Sequence, residues 1–497
     1  MLIRYAFLFA FLVTLLPATC HKAEGQYLTD LSFVNACEKA DWEIASKLIS
    51  PESADQSQPD GMTGLHWAAF HGDVAIVSKL VRLMNEIDVR NEYQLTPLAI
   101  AALNGHAEVG RELLDAGADP NVRVSGNATP LLLAVRSGNV ALVQSLVDQG
   151  ADVNVRERKQ QTALMWAAAE GHADVIDVLV HAGADVNVAL PSGFTAMMFA
   201  AREGKIEAAL RLLGHGVDVK TKMKPKRTGG RSPRDGMSAL MLAVESAHYE
   251  LALKLVEAGA DPNDESSGFA PLHAMAWVRR PQNGDDPTGD PRPRGSGAVP
   301  ALEFVRQIVA AGADVNLQLR RGRADKGRLS PRGATPFLLA SQTVDLPLME
   351  TLLELGADPM LTNHDECTAL LAAAGVGNHH VGEHPGTVAE VERAVRWLVD
   401  LGLDINAVDK NGETAMHGAA YRCFPETVKL LESLGADPEI WDHKNVHGWS
   451  PLIISKGYRP GSFKPDPPTI LAISEAMGDR AKESADENDP DSQRYEP

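Results

Sequence analysis

Apolar residues recur along most of this chain as pairs of short helical patterns. In residues 162–188, TALMWAAAEGHADVIDVLVHAGADVNV, the small residues from Ala163 to Glu170 predict a helix that a neighbour can approach closely. Thr162 precedes this helix as an N-cap, and Gly171 ends it. A second helix stops at Gly183, and its inward positions are Val175, Ile176, Leu179 and Val180. The pattern therefore predicts a helix-turn-helix unit followed by an extended segment.

The unit repeats at a fixed spacing. The threonines that open five successive units are 33 residues apart: Thr63, Thr96, Thr129, Thr162 and Thr195. A constant period of this length is typical of a solenoid, in which each unit buries its apolar face against its neighbours.

The repeated residues resemble those of the ankyrin repeat. The stretch TPLAIAALNGH begins at Thr96. The phrases GADPN and GADVN end at Asn121, Asn154, Asn187, Asn263 and Asn316. The resemblance covers roughly 430 residues, and its motif is specific because it recurs in register. It implies an all-α solenoid of helix-turn-helix units joined by short β-hairpin fingers.

Interruptions and atypical ends divide the chain further. We expect a signal peptide at 1–25, an N-terminal capping unit at 26–59 and about ten repeats at 60–440. A degenerate capping unit at 441–478 and a disordered acidic tail at 479–497 complete the predicted order. The predicted insertions are 221–234, 281–300, 319–332 and 377–388.

The first residues have the layout of a secretory signal. An apolar run from Tyr5 to Leu16 follows one arginine, and it is short for a membrane span. We therefore expect an exported protein, periplasmic or secreted, without stable membrane insertion. The segment PATC also resembles a lipoprotein box ending at Cys20, which leaves lipid attachment there as an alternative. The remaining cysteines, Cys37, Cys367 and Cys423, fit neither a disulfide framework nor a zinc site, although a Cys367–Cys423 bridge is an alternative to small buried residues.

The distribution of charge along the chain limits the kinds of partner that it can bind. The formal net charge of −19 argues against a general nucleic-acid or anionic-membrane binder. Two insertions oppose this trend: residues 220–234 contain seven basic and no acidic residues, and residues 320–332 contain six and one. We expect these basic insertions to grip an acidic protein partner through Lys224, Lys226, Arg227, Arg231, Arg320 and Arg321. The alternative is that they fold back onto acidic neighbours.

The ankyrin resemblance also implies contact positions on the concave side. The residue before each repeat threonine is one such position, and it gives an apolar series at Phe194, Met237 and Phe269. Positions after the paired alanines add Arg202, Trp277 and Arg279. Either Trp277 is an exposed anchor or the insertion at 281–300 folds over it. The sequence thus predicts a monomeric protein-binding scaffold.

No catalytic constellation is present in the sequence, so we expect no enzyme activity and no cofactor. His66, His273 and His417 occupy a fixed motif position, where histidine serves local hydrogen bonding according to the resemblance. The loop GNHHVGEHPG is different, because it places His379, His380 and His384 within six residues. Imidazole binds zinc, copper and haem iron, so metal or haem binding by this histidine loop is the alternative function.

Overall fold

A computed structural model describes residues 32–226, 234–281, 292–322, 328–378, 381–457 and 464–478. Within these ranges the regular structure is helical, with three isolated antiparallel bridges at Ser57–Thr63, Ala189–Thr195 and Lys222–Ser238. This helical architecture fits the expected all-α solenoid, whereas the three isolated bridges do not establish the expected β-hairpin fingers. None of the helices in these ranges is both long enough and apolar enough to cross a membrane.

Three short helices precede the repeats: α1 Ser32–Glu38, α2 Trp42–Leu48 and α3 Pro51–Ala54. Ten helix pairs follow them. The first five pairs are α4 Gly64–His71 with α5 Val74–Leu80, α6 Pro97–Asn104 with α7 Ala107–Asp115, α8 Pro130–Ser137 with α9 Val140–Asp148, α10 Ala163–Glu170 with α11 Ala173–His181, and α12 Ala196–Glu203 with α13 Ile206–Gly214. A single 3₁₀ turn, Ser125–Asn127, precedes α8.

The other five pairs have longer and less regular connections. They are α14 Ala239–Glu245 with α15 Tyr249–Glu257, α16 Pro271–Arg279 with α17 Ala301–Ala310, α18 Pro336–Gln342 with α19 Leu346–Glu354, α20 Ala369–Ala374 with α21 Val388–Asp400, and α22 Ala415–Arg422 with α23 Pro425–Ser433. Three helices end the described chain: α24 Pro438–Trp441, α25 Pro451–Ser455 and α26 Pro467–Met477. We number the repeats one to ten by these pairs.

The described residues form two compact units. The first contains residues 32–167 and 174–185, and the second contains residues 168–173 and 186–478. Within the first unit, α4 packs on α6 and α6 on α8; within the second, α12, α14, α16, α18, α20 and α22 pack in sequence. Small side chains such as Ala101, Ala200 and Ala243 are fully buried between these first helices. Each unit therefore has a close-packed layer of first helices.

Local hydrogen bonds explain why most repeats begin at a threonine, although Thr129 makes no such bond and repeats six and seven open at Ser238 and Ala270. The Thr195 hydroxyl accepts from the Met198 amide, and Thr63 does the same for His66. The ring of His66 accepts from the Thr63 hydroxyl at 2.8 Å and donates through Nε2 to the Leu95 carbonyl, 3.1 Å away in the next repeat. His273 and His417 make equivalent bonds to backbone carbonyls. The interpretation of these histidines as local hydrogen-bonding groups is confirmed.

An asparagine at the end of each GAD-x-N phrase joins neighbouring repeats. Asn263 donates from Nδ2 to the Gly312 carbonyl at 2.9 Å and accepts from the Asp314 amide at 2.7 Å. Asn316 makes the same two bonds to Gly356 and Asp358. Asn121, Asn154 and Asn406 repeat this pattern. The bond pair persists although the donor and the glycine are 29 residues apart at Asn406 and 49 apart at Asn263.

The cysteines past the first segment are free thiols. Cys37 and Cys367 are buried and Cys423 is partly buried, so the structure does not form the Cys367–Cys423 bridge considered above. Burial raises the pKa of Cys37 to about 12. Cys423 has a φ of +56° and takes the helix-ending position that glycine holds in most repeats.

Candidate partner-binding face

In three repeats of the second unit, the residue before the N-cap of the first helix contacts the residue eight positions later on that helix. The rings of Phe269 and Trp277 meet edge-on, with centroids 4.8 Å apart. The guanidinium of Arg202 lies over the Phe194 ring at 5.2 Å. The two expected sets of contact positions are therefore in contact with each other in repeats five and seven.

The structure corrects the expected exposure of two members. Phe194 and Met237 are only 8% and 4% exposed, so neither offers an open apolar tip. Phe194 packs edge-on against Phe199 with centroids 4.7 Å apart, and Arg202 covers both rings. Burial against the helix stabilises these rings more than exposure at a hairpin tip would. Repeat five therefore presents Arg202, which also pairs with Glu203 at 2.9 Å.

Repeat seven keeps its aromatic residues nearer to solvent. Phe269 and Trp277 are each partly buried. The described part of the insertion, residues 292–300, is bonded to α15 and to the end of α12, through Ser296 to His248 and to the Gly204 carbonyl. Residues 282–291 lie outside the described chain. The Phe269–Trp277 pair is thus the most accessible aromatic surface at the sequence-predicted positions.

The first basic insertion is partly folded back on acidic neighbours. Lys222 Nζ lies 2.7 Å from Asp264 Oδ1 and 2.6 Å from Ser266 Oγ. Arg234 pairs with Glu245 of α14. Lys224 and Lys226 are exposed, whereas Arg227 and Arg231 lie outside the described residues. Exposed lysines of this insertion therefore stand beside lysine and arginine side chains that already have carboxylate partners.

The second basic insertion contacts the residue next to Asp264. Arg320 Nε lies 3.1 Å from Glu265 Oε1, yet the Arg320 side chain is 83% exposed. Arg321 is also exposed. Farther along, Arg328 pairs with Glu383 of the histidine loop at 2.8 Å. Part of each basic insertion therefore folds back onto acidic neighbours, as the alternative expected. Lys222 and Arg320 pair with two adjacent residues, Asp264 and Glu265.

Arg279 is held in an ion pair that the sequence did not indicate. Its Nε and one terminal nitrogen donate to the two carboxylate oxygens of Asp345 at 2.7 and 3.0 Å. The neighbouring Arg280 donates to Glu390 at 2.9 Å and to the Val344 carbonyl at 2.6 Å. These partners are 66 and 110 residues away in sequence, so no local signal could have paired them. Arg279 therefore links repeats seven and eight.

The histidine loop has little access to a ligand at its described position. His384 is only 3% exposed, and burial together with the charge of Arg422 lowers its pKa to about 3. His379 and His380 lie outside the described residues. Within the described ranges, no group of three or more His, Cys, Asp or Glu side chains is arranged to hold a metal ion. Nearby guanidinium charges of Arg422 and Arg328 also disfavour a cation at His384.

A buried acid in repeat ten directly precedes the N-cap Thr414, which is the position that the ankyrin resemblance assigns to partner contact. Glu413 accepts from the Tyr421 hydroxyl at 2.7 Å and from Asn445 Nδ2 at 2.9 Å. Burial raises its pKa to about 7 although both bonds favour the charged form. Its position, eight residues before Tyr421, follows the same rule as Phe269 and Trp277. This network stabilises the end of the array and is closed to a partner.

The contact positions predicted from the sequence do not include an aromatic cluster in the first unit. The Trp67 ring lies 5.8 Å from Phe70 and 6.2 Å from His71, and Trp67 donates to Gln58 at 2.9 Å. Phe70 and His71 follow the Ala68–Ala69 pair, so the position rule applied to repeats five to seven would also have found them. This cluster is partly exposed.

The chain is similar in sequence to a known protein family and to several known proteins. A family model described as ankyrin repeats in three copies matches residues 33–124, 125–190, 189–266 and 337–442, which together exceed half of the chain. A palmitoyltransferase of Lachancea kluyveri is 30% identical over 30% of this chain and 18% of its own length. The nuclear factor NF-kappa-B p105 subunit of Gallus gallus is 29% identical over 28% of this chain and 16% of its own.

A further relative is ankyrin repeat and SOCS box protein 6 of Homo sapiens, 30% identical over 28% of this chain and 27% of its own length. The chain thus spans less than a third of the length of each of these relatives. The transferase activity belongs to the relative that carries the name, and the match covers a small part of it.

Proposed function

Because the chain belongs to the ankyrin repeat family, whose members are generally non-catalytic interaction scaffolds, we propose that it is an exported scaffold that binds an acidic protein partner. The binding face consists of the two basic insertions and the first helices of repeats five to eight. The scaffold acts as a monomer and needs no cofactor. The apolar run from Tyr5 to Leu16 supports export.

One observation carries this proposal. Lys222 and Arg320 come from different insertions and pair with the adjacent residues Asp264 and Glu265. The segment that holds these two acids leads directly to Phe269, which packs on Trp277. Basic side chains and a partly open aromatic pair are therefore neighbours. Charged residues around an aromatic centre give a partner both fast association and a desolvated contact.

The internal ion pairs at this face are weak enough for a partner to replace. Arg320 is largely exposed, and exposed pairs contribute only about 0–1 kcal/mol. An acidic partner can therefore take over Arg320 without a large stability cost. The exposed Lys224, Lys226 and Arg321 then add charge around the contact.

A pull-down from the extracytoplasmic fraction of the native host tests the binding face. We expect a specific band that is lost when Lys224, Lys226, Arg320 and Arg321 are replaced by Gln. The matched control replaces four exposed cations of the first unit, Lys47, Lys79, Arg111 and Arg123, with the same change in net charge. Retained binding by the first variant, or equal loss in the control, would reject the proposed face.

Export and monomeric state have separate readouts. Removing residues 1–25 should leave the protein in the cytoplasm, whereas the full chain should appear in the extracytoplasmic fraction. Light scattering of the purified protein should give the mass of one chain. Cytoplasmic retention of the full chain would reject export without affecting the binding experiment.

A further inference from the structure

The second unit contains a cavity that is formed in part by residues 292–300, the end of the insertion in repeat seven. The cavity has a volume of about 300 Å³ and lies where α15 begins, α16 ends and the segment 292–301 passes between them. Its lining residues include Tyr249, Val278, Arg279, Arg292, Val299 and Ala301. A volume near 300 Å³ is at the lower end of the range for small-molecule sites. It suits a ligand of a few heavy atoms.

The outer wall of the cavity is anchored. The Ser296 amide donates to His248 Nδ1 at 2.9 Å, and its hydroxyl donates to the Gly204 carbonyl at 2.9 Å. The Ala298 amide donates to Glu250 at 3.1 Å. Gly295 allows this close approach, since a Cβ there would lie 1.8 Å from the Ala247 carbonyl oxygen. These contacts hold the wall in place without a ligand, so the site is preformed.

The lining combines an apolar floor with positive charge. Val278, Val299 and Ala301 supply aliphatic surface, and Arg279 and Arg292 supply guanidinium groups. No carboxylate occurs among the described residues that line the cavity. Arg279 is neutralised by Asp345 outside the lining, whereas Arg292 has no ion pair within the described chain. The net charge of the lining is therefore positive.

Two helix ends reinforce this polarity. Tyr249 is the first residue of α15 and Ala301 is the first residue of α17, and both line the cavity. The amino end of a helix carries a partial positive charge that favours anions. The positive charge of the lining thus favours an anionic group, and its aliphatic surface favours a short aliphatic chain.

We propose that this cavity binds a short aliphatic carboxylate, with the carboxylate at Arg292 and the aliphatic part against Val278 and Val299. The chemistry has two sources: a free branched-chain carboxylic acid, or the carboxyl-terminal residue of a peptide that ends in valine. Val278 and Arg279 belong to α16, which is also part of the binding face proposed above. The inference still does not depend on that partner, because Arg292, which receives the carboxylate, lies outside both basic insertions and all of the first helices.

Titration calorimetry of the full-length protein with two probes tests the site. The probes are isovalerate and the peptide N-acetyl-Ala-Gly-Ser-Val with a free carboxyl end, each compared with its carboxamide. We expect saturable binding of at least one carboxylate, with a dissociation constant on the order of 1 mM or tighter. Each carboxamide should bind about tenfold more weakly, because it lacks the charge-assisted contact.

Variants separate the site from general attraction. Arg292→Gln should weaken carboxylate binding about tenfold, and Arg294→Gln, an exposed arginine outside the lining, should not change it. Val299→Trp should fill the cavity and abolish binding while the thermal melt stays unchanged. Binding of isovalerate alone identifies a free acid as the source, and binding of the peptide alone identifies a chain end. Failure of both probes, or equal effects of Arg292→Gln and Arg294→Gln, would overturn the proposal.

Discussion

The rings of Phe269 and Trp277 lie edge-on at 4.8 Å, although Phe269 precedes helix α16 and Trp277 lies within it. The same offset of eight residues brings Arg202 over Phe194 and the Tyr421 hydroxyl to Glu413. In these three repeats, the residue before the N-cap is therefore in direct contact with a residue near the end of the first helix. Their chemistry differs from repeat to repeat: aromatic in repeat seven, cation over ring in repeat five, and a hydrogen-bonded acid in repeat ten.

The aromatic pair should make a measurable contribution to stability. A double-mutant cycle of Phe269→Leu and Trp277→Leu should give a coupling of about 0.5–1.5 kcal/mol in the free energy of unfolding, measured by urea denaturation. The control cycle combines Phe269→Leu with Trp397→Leu, whose ring contacts Phe337 in repeat eight. That cycle should be additive. Additivity in both cycles would mean that the ring contact contributes nothing beyond burial.

Glu413 should give the protein a distinct pH dependence. Burial raises its pKa from 4.5 to about 7, so between these values the folded chain holds a proton that the unfolded chain has lost. The stability linked to Glu413 is fully present below pH 4.5 and is lost as the pH rises through 7. We expect the free energy of unfolding of the wild type to fall by on the order of 3 kcal/mol over this window relative to Glu413→Gln.

Urea denaturation of both proteins between pH 4 and 8 measures this difference. Glutamine keeps an acceptor for the Tyr421 hydroxyl, so the variant retains the hydrogen bond but not the titration. Buried histidines such as His66, whose pKa is lowered to about 4, titrate in both proteins and cancel in the comparison. Parallel curves would show that Glu413 keeps its ordinary pKa.

The Arg279–Asp345 pair should be costly to break from one side. Asp345→Asn keeps a side-chain acceptor for the Leu348 amide at the start of α19 but leaves Arg279 without a carboxylate. Loss of one partner from a buried pair costs about 3–5 kcal/mol, which should appear as a lower urea midpoint. Arg306–Glu354 is an exposed pair at 2.7 Å, and Glu354→Gln should cost less than about 1 kcal/mol. Equal costs would contradict the assigned burial.

Gly375 should be intolerant of a side chain. Its φ is +126°, and a Cβ would lie 2.5 Å from the Gly418 carbonyl oxygen and 2.8 Å from Arg422 Cγ. Gly356 also has a positive φ, +96°, but no described atom lies within 4 Å of its Cβ position. We expect Gly356→Ala to cost about 1–2 kcal/mol through backbone strain. Gly375→Ala should cost about 1–3 kcal/mol more through crowding, as measured by urea denaturation.

Features that depend on near neighbours in sequence were predictable. The Thr63 cap and the His66 ring bond act over three residues and recur with the repeat, so the pattern specified them. The positions at which the first helices end were also predictable. Cys423 shows that the repeats share the position of this helix end rather than its residue type. Fold class followed from this local regularity.

Contacts between insertions were not predictable in the same way. The sequence indicated that Lys222 and Arg320 carry excess charge, but their partners Asp264 and Glu265 lie 42 and 55 residues away. Phe194 was expected to be open because hairpin tips usually are, yet its own helix buries it against Phe199. The ion-pair partners and the burial of Phe194 depend on the orientation of the segment before each first helix. Tertiary packing sets that orientation.

The asparagine bonds make repeat spacing independent of chain length. Asn263 finds the Gly312 carbonyl across 49 residues with the same geometry that Asn406 uses across 29. A repeat can therefore gain twenty residues on one side while its register on the other side stays fixed. New loops, and the sites they create, can be acquired by such an array without rebuilding the frame that carries them.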